Sequence, residues 1–237
     1  MDLTTSSTLE QRYARQLILP EIEIDGQEKL AKASVVVVGA GGLGSPILLY
    51  LAAAGIGKIG IIDCDVVNVS NLQRQILYHT ADLGQKKAPL AARRLHGLNP
   101  HIVVEAYPIQ LQKENIGNLL HDYEIIVDAC DNYATRLLLD QYTAEQKKPY
   151  VYGSIEGFCG QSSVFNYAGA KGYRDLYPDI KEADDSAGVG VLGATAGVIG
   201  SIQAAETLKI ALGLPPSLVG KLFYLNLLSG QAQYFSL

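Results

Sequence analysis

The 237-residue chain has only three cysteines, Cys64, Cys130 and Cys159, and no two of them form a C-x-x-C pair. Such spacing supplies neither a disulfide framework nor a zinc knuckle and suits a reducing, cytoplasmic compartment. Charged residues are sparse at 18%, and the balance of −5 lacks the basic excess expected of a nucleic-acid surface. The polar start, MDLTTSSTLEQRYARQ, carries acids and is unlike a secretory signal. Long apolar runs are missing as well. The longest weakly polar run, AGVGVLGATAGVIGSI from Ala187 to Ile202, is too short and too interrupted to span a bilayer. It predicts a buried helix with Gly193, Gly197 and Ser201 at i, i+4 spacing along one small face. There is no repeat, low-complexity tract or linker, so a single domain is expected over residues 1–237.

Hydrophobic residues make up 48% of the chain, enough for a sizeable core. After a polar lead-in, GQEKLAKA (26–33) predicts a short helix. SVVVVG is an all-apolar strand of the kind buried on both faces of a parallel sheet. GLGSPILLYLAAAG then predicts a helix, with Pro46 tolerable in its first turn. KIGIIDCD, HIVVEAY and YEIIVDAC predict further strands, separated by helices in LGQKKAPLAARRLHGLNP and NYATRLLLDQYTAEQKK. PYVYGSI and GQSSVFNY resemble two strands joined by EGFCG. A polar stretch and the glycine-rich helix follow, and KLFYLNL and QAQYFSL close the chain as a hairpin. Strands alternating with helices and ending in hairpins indicate an α/β, Rossmann-like doubly wound mixed sheet, parallel first and antiparallel in its C-terminal strands.

Gly39-x-Gly41-x-x-Gly44 follows an apolar strand and opens a helix, the setting of a phosphate-binding fingerprint. The first glycine permits the turn, the second lets phosphate approach the backbone, and the third packs helix on strand. Asp63, 19 residues beyond Gly44, stands where an acid would hold ribose hydroxyls, with Asp65 close enough to compete. Asp131 precedes a helix and suits either an N-cap or a carboxylate ligand for magnesium. In a sheet of order 3-2-1-4, the glycine loop, Asp63 and Asp131 occupy three neighbouring strand ends at one crevice. Arg74 and Lys87 would reach the same crevice. A redox dinucleotide needs no such cations, whereas a triphosphate undergoing cleavage does. Cys64 and Cys130, at apolar strand ends, are expected to be small core residues.

RYARQ, GAGGLGSP, SNLQRQ, LGQKK and DACDN together resemble the ThiF/MoeB/HesA family, bacterial relatives of the ubiquitin-activating enzymes, over nearly the whole chain. The resemblance implies an adenylyltransferase that uses ATP and Mg²⁺ to adenylate the C-terminal glycine carboxylate of a ubiquitin-like sulfur carrier protein ending in Gly-Gly. Pyrophosphate is released, and the pathway is thiamine or molybdopterin synthesis. It also implies a homodimer. The nucleotide-binding half would cover about 26–150, and the carrier-binding and crossover part about 151–237. By that resemblance Gly42, Asp63, Ser70, Asn71, Gln73, Arg74 and Lys87 contact the nucleotide. Asp131, with Asn132 beside it, addresses the magnesium ion, and Arg15 reaches the triphosphate from the partner subunit. Lys86 is not counted.

Two departures qualify the match. Gly172 and Asp175 stand where many relatives carry a zinc-binding cysteine pair, so no zinc is expected. Ser186 stands where relatives often carry a cysteine that takes over the carrier or its sulfur, which implies a separate sulfur donor. The tail of the carrier would pass along YVYGSIEGFCG, beneath a crossover loop formed by Tyr173 to Ser186. The alternatives are a zinc-free relative adenylating a carboxylate on modified tRNA, a nicotinamide-dependent oxidoreductase that would leave SNLQRQ, Lys87 and Asp131 idle, and a non-catalytic partner subunit.

Overall fold

The structure, a computed structural model, describes residues 3–181 and 190–237, with side chains from Leu9 onward. Ser186, and with it the end of the expected crossover loop, lies outside the described residues.

The first long element is helix α1 (Leu3–Leu17), followed by α2 (Glu23–Lys32). The sequence offered only a polar lead-in for α1, because its hold on the fold is made by single distant contacts. The Asn99 amide donates to the buried Tyr13 hydroxyl at 2.8 Å, and the Gln16 amide donates to Ala54 O at 3.0 Å. Strand β1 (Ser34–Val38), helix α3 (Gly44–Ala54) and strand β2 (Lys58–Ile62) come next. Helix α4 (Lys87–Leu98), strand β3 (Val103–Tyr107), the short helix α5 (Ile116–Leu120) and strand β4 (Ile125–Asp128) complete the parallel half. Helix α6 (Tyr133–Gln146) leads to the hairpin of β5 (Tyr150–Glu156) and β6 (Cys159–Phe165). Helix α7 (Tyr173–Leu176), helix α8 (Gly193–Leu212) and the hairpin of β7 (Lys221–Asn226) and β8 (Gln231–Ser236) end the chain.

All eight strands form one sheet in the order β3-β2-β1-β4-β5-β6-β7-β8. β1 to β5 pair in parallel and β5 to β8 antiparallel, as the sequence pattern required. Side chains alternate across the pleat. Val35 and Val37 face a core shared with α3, α4 and α8, while Val36 and Val38 face one shared with α5 and α6. The crossovers between neighbouring parallel strands run through α3, α4 and α6, so these helices begin at the carboxyl edge of the sheet.

The row of α8 that packs within the chain shares only Gly193 with the expected row of Gly193, Gly197 and Ser201. A Cβ at Gly200 would lie 2.6 Å from Pro46 Cγ, and one at Gly193 would lie 2.5 Å from Gln73 O, whereas Gly197 has open space around it. Helical spacing reveals a row of small residues, yet the neighbouring row through Gly193, Ala196 and Gly200 is the one that seats α8 on α3 and the glycine loop.

Candidate active site

Gly39 closes the turn after β1 with φ +102°, and a Cβ there would lie 2.4 Å from Ala129 O. A Cβ on Gly44 would lie 2.1 Å from Gly39 O, so the start of α3 can sit on the strand end only as glycine. Between them the loop is tied from the protein side. Gly39 N–H donates to Ile62 O at 2.8 Å, Ala40 N–H to Asp63 Oδ2 at 2.8 Å, and Gly41 O accepts from the Ser45 hydroxyl at 2.7 Å. Among the described residues, the N–H groups of Gly41 and Gly42 have no acceptor. Free N–H groups at a helix start suit an anion.

Asp63 is half-buried beyond β2, and its Oδ1 accepts from Asp65 N–H at 2.9 Å. Burial pushes its carboxyl above the ordinary range, partly offset by the Ala40 N–H bond and the charge of Lys87. Lys87 is the first residue of α4 and is almost fully buried, with Nζ 2.9 Å from Asp65 Oδ2. Asp65 therefore holds the lysine, which leaves Asp63 facing the loop. Lys86 turns away and donates to Cys64 O.

The segment after β2 wraps the loop. The Arg74 methylenes lie 3.4 Å from where a Gly42 Cβ would stand, and the Gln75 amide nitrogen lies 3.4 Å from that of Gly41. Arg74 Nη1 donates to Ser70 O at 3.1 Å, fixing the guanidinium beside the loop. Ser70 and Gln73 are exposed, and Asn71 closes a short turn by accepting from Asn68 N–H at 3.1 Å. Gln75 Oε1 is buried without a hydrogen-bond partner among the described residues.

Asp131 is exposed in the bend after β4, which ends three residues earlier at Asp128. The N-cap of α6 is Asn132, whose Oδ1 accepts from Thr135 N–H at 2.9 Å, so the capping role considered for Asp131 falls to its neighbour. The Ala129–Cys130 backbone lies directly against Gly39 and brings Asp131 to the same crevice. Sequence reasoning missed the group beneath this bend. Asp128 is fully buried with its Oδ2 3.5 Å from Arg136 Nε, and it accepts from Cys130 N–H and the Tyr150 hydroxyl. Arg136 Nη2 in turn donates to Cys130 O at 3.0 Å. The only signal was a charged pair, Asp128 and Arg136, eight residues apart across a strand end. Cys130 is half-buried and its thiol is pushed up by burial, but Cys64 is exposed, contrary to expectation, because β2 ends at Ile62 and the chain turns outward.

Arg15 alone stands apart. It is exposed on α1, whose Gln16 is bonded to the last residue of α3, about 16 Å of helix from the glycine loop. The structure does not bring it to the loop of its own chain.

Beside the crevice lies a cavity of about 930 Å³ lined by Ser154, Glu156, Cys159, Gln161, Leu192 and Tyr224. Its Leu192 immediately precedes Gly193, which touches the Arg74 segment, so cavity and glycine loop share one wall. Among the described residues no group of three or more His, Cys, Asp or Glu could hold a metal ion. Asp131 as a single carboxylate fits a magnesium ion that keeps most of its shell from phosphates and water, and would not hold a metal without them.

A glycine loop, an acid bonded to it and buried or braced cations at the carboxyl edge of a doubly wound sheet are the arrangement of an α/β protein with an anion-binding crevice. The chain belongs to the ThiF family, which it matches over residues 13–237. It is 47% identical to the sulfur carrier protein adenylyltransferase of Thermus thermophilus, over 89% of this chain and 81% of that one. It is 42% identical to a probable molybdopterin-synthase adenylyltransferase of Porphyra purpurea, over 98% of this chain and 63% of that one. It is 44% identical to the probable adenylyltransferase/sulfurtransferase MoeZ of Mycobacterium tuberculosis, where it spans 56% of the relative. Escherichia coli MccB shares the fold with TM-score 0.85 at 21% identity over 96% of this chain and 70% of MccB. PaaA shares it with TM-score 0.84 at 22% identity over 100% of this chain and 76% of PaaA. No helix among the described residues is long and apolar enough to cross a membrane.

Proposed function

We propose that this chain adenylates the C-terminal glycine carboxylate of a ubiquitin-like sulfur carrier protein, using ATP and releasing pyrophosphate. The observation that carries this is the convergence of Arg74, Lys87, Asp63 and the bend bearing Asp131 on one glycine loop, next to a cavity of about 930 Å³. A carboxylate oxygen attacks the α-phosphorus, a new phosphorus–oxygen bond forms, and the bond to the β-phosphate oxygen breaks. The carboxylate is already an anion at neutral pH, so no general base is required. The barrier is the approach of two anions, and fixed positive charge lowers it.

In this scheme the loop N–H groups of Gly41 and Gly42 receive phosphate and Asp63 receives the ribose. Ser70, Asn71 and Gln73 line the nucleotide, while Arg74 and Lys87 neutralise charge on the phosphates. Asp131, with Asn132 at its side, would hold Mg²⁺, which when bound spreads the charge of the triphosphate. Arg15 of a second copy completes the site in a homodimer. The carrier tail enters through the Ser154–Gln161 hairpin, and the pathway is thiamine or molybdopterin synthesis. A separate sulfur donor then acts on the adenylate.

The test is exchange of labelled pyrophosphate into ATP. It should require Mg²⁺ and a carrier ending in Gly-Gly, vanish in Arg15→Ala and in Asp131→Ala, and return when those two inactive variants are mixed. Exchange that runs with tRNA in place of the carrier would overturn the substrate. Failure of the mixture to recover would overturn the shared site.

A further inference from the structure

We infer that Tyr78 is a positioning residue that aims the glycine loop at phosphate. This rests on the loop being the phosphate site proposed above. The Tyr78 hydroxyl donates to Ala40 O at 2.8 Å, from a side chain only 4% exposed. That carbonyl belongs to the same peptide unit as Gly41 N–H. A trans peptide is planar, so its C=O and N–H point in opposite directions. A donor that fixes the carbonyl on the protein side therefore turns Gly41 N–H toward the crevice, where it has no acceptor among the described residues. The next peptide is treated the same way, since Gly41 O accepts from both the Ser45 backbone and its hydroxyl, which orients Gly42 N–H.

The two holds differ in origin. Ser45 is four residues on, within the first turn of α3, and its bond is part of helix formation. Tyr78 lies 38 residues away and, among the described residues, makes the one hydrogen bond to the Ala40–Gly41 peptide. The preceding unit is held by Asp63, which accepts Ala40 N–H. Three successive peptides are thus set by three separate groups, and the middle one depends on a single hydroxyl. Hydrogen bonding at a carbonyl also polarises the amide and makes its N–H a stronger donor. The segment from Arg74 to Tyr78 therefore has two tasks, supplying a cation and bracing the loop that the cation serves.

Tyr78→Phe removes the hydroxyl and keeps the ring. The readout is the dissociation constant of α,β-methylene-ATP with Mg²⁺, measured calorimetrically on the full chain without carrier. Protein lost irreversibly lowers the stoichiometry and leaves that constant unchanged, and the titration is run well below the melting temperature of each variant so that reversible unfolding does not raise it. We expect it to rise about fivefold, the worth of one net hydrogen bond. Thr143→Val serves as control. It deletes a buried hydroxyl that donates to Leu139 O in α6, and should lower the melting temperature while leaving the constant unchanged. An unchanged constant in Tyr78→Phe, or an equal rise in Thr143→Val, overturns the assignment. If the parent chain binds the analogue but catalyses no carrier-dependent exchange, the adenylation reaction fails and the role of Tyr78 stands. If the parent binds no nucleotide, both fail.

Discussion

Replacing Gly41 by alanine should separate what the loop does for ligand from what it does for the fold. A Cβ at Gly41 would meet nothing closer than the Gln75 amide nitrogen at 3.4 Å, an ordinary contact at the end of a side chain. Its φ lies outside the left-handed region. The substitution therefore costs the folded chain little and restricts the unfolded one, a gain of about 0.4–1 kcal/mol. For a chain of this size that raises the melting temperature by roughly 1–4 °C. The new methyl projects about 1.5 Å from the backbone at the point where phosphate would approach. Displacement of about 1 Å in a reacting group costs about a hundredfold in rate. We expect kcat/KM for ATP in pyrophosphate exchange to fall by that order in a protein that melts no lower than the parent. Gly44→Ala is the comparator. Its Cβ would lie 2.1 Å from Gly39 O, so strand end and helix must separate by more than 1 Å to reach the 3.4 Å of ordinary contact. Overpacking of this kind costs about 1–3 kcal/mol and lowers the melting temperature by about 2–12 °C. A Gly41→Ala protein with parental kcat/KM for ATP would refute phosphate binding at the loop. One that melts as low as Gly44→Ala would refute the steric reasoning.

Two further outcomes follow from buried charges. Arg136→Met leaves Asp128 buried and uncompensated, with side-chain exposures of 7% and 0% in the present pair, and should cost about 3–5 kcal/mol in urea denaturation. Adding Asp128→Asn should recover most of that loss, and a double variant as weak as the single would show that the pair is not the cause. Asp63 titrates above its ordinary 3.8 because burial disfavours the ion. The folded chain thus binds that proton more tightly than the unfolded one, and the associated stability is lost as pH rises through the raised value. Asp63→Asn should therefore melt higher than the parent at pH 7, with the gap closing as pH falls toward 3.8, while exchange is abolished. A gap that widens in acid would contradict the sign.

The sheet and its order were readable because β1, β2 and β4 are short apolar runs, each ended by a glycine or an acid. The crevice was readable for the same reason, since strand ends fix where Gly39, Asp63 and Asp131 must gather. What pattern could not supply was any feature made by one side chain at long range. Helix α1 is polar along its length and is held through Tyr13 and Gln16, each bonded to a residue tens of positions away. Tyr78 and Arg136 were invisible for that reason too, as each acts on a backbone carbonyl rather than within a motif. The glycine-rich helix was found, but the row through Ala196 and Gly200 that packs within the chain was not, because the i, i+4 row through Gly197 and Ser201 is equally small in composition. The cap of α6 is Asn132 and not Asp131, because neighbouring residues at a helix start are equally good caps in composition.

Helices α3, α4, α6 and α8 all begin at the carboxyl edge of the sheet, around Gly44, Lys87, Tyr133 and Gly193. Each start carries about half a positive charge from aligned peptide dipoles. Those charges have no protonation equilibrium, and no single substitution deletes them. A chain whose formal charge is −5 therefore keeps one mouth attractive to anions at every pH at which it stays folded.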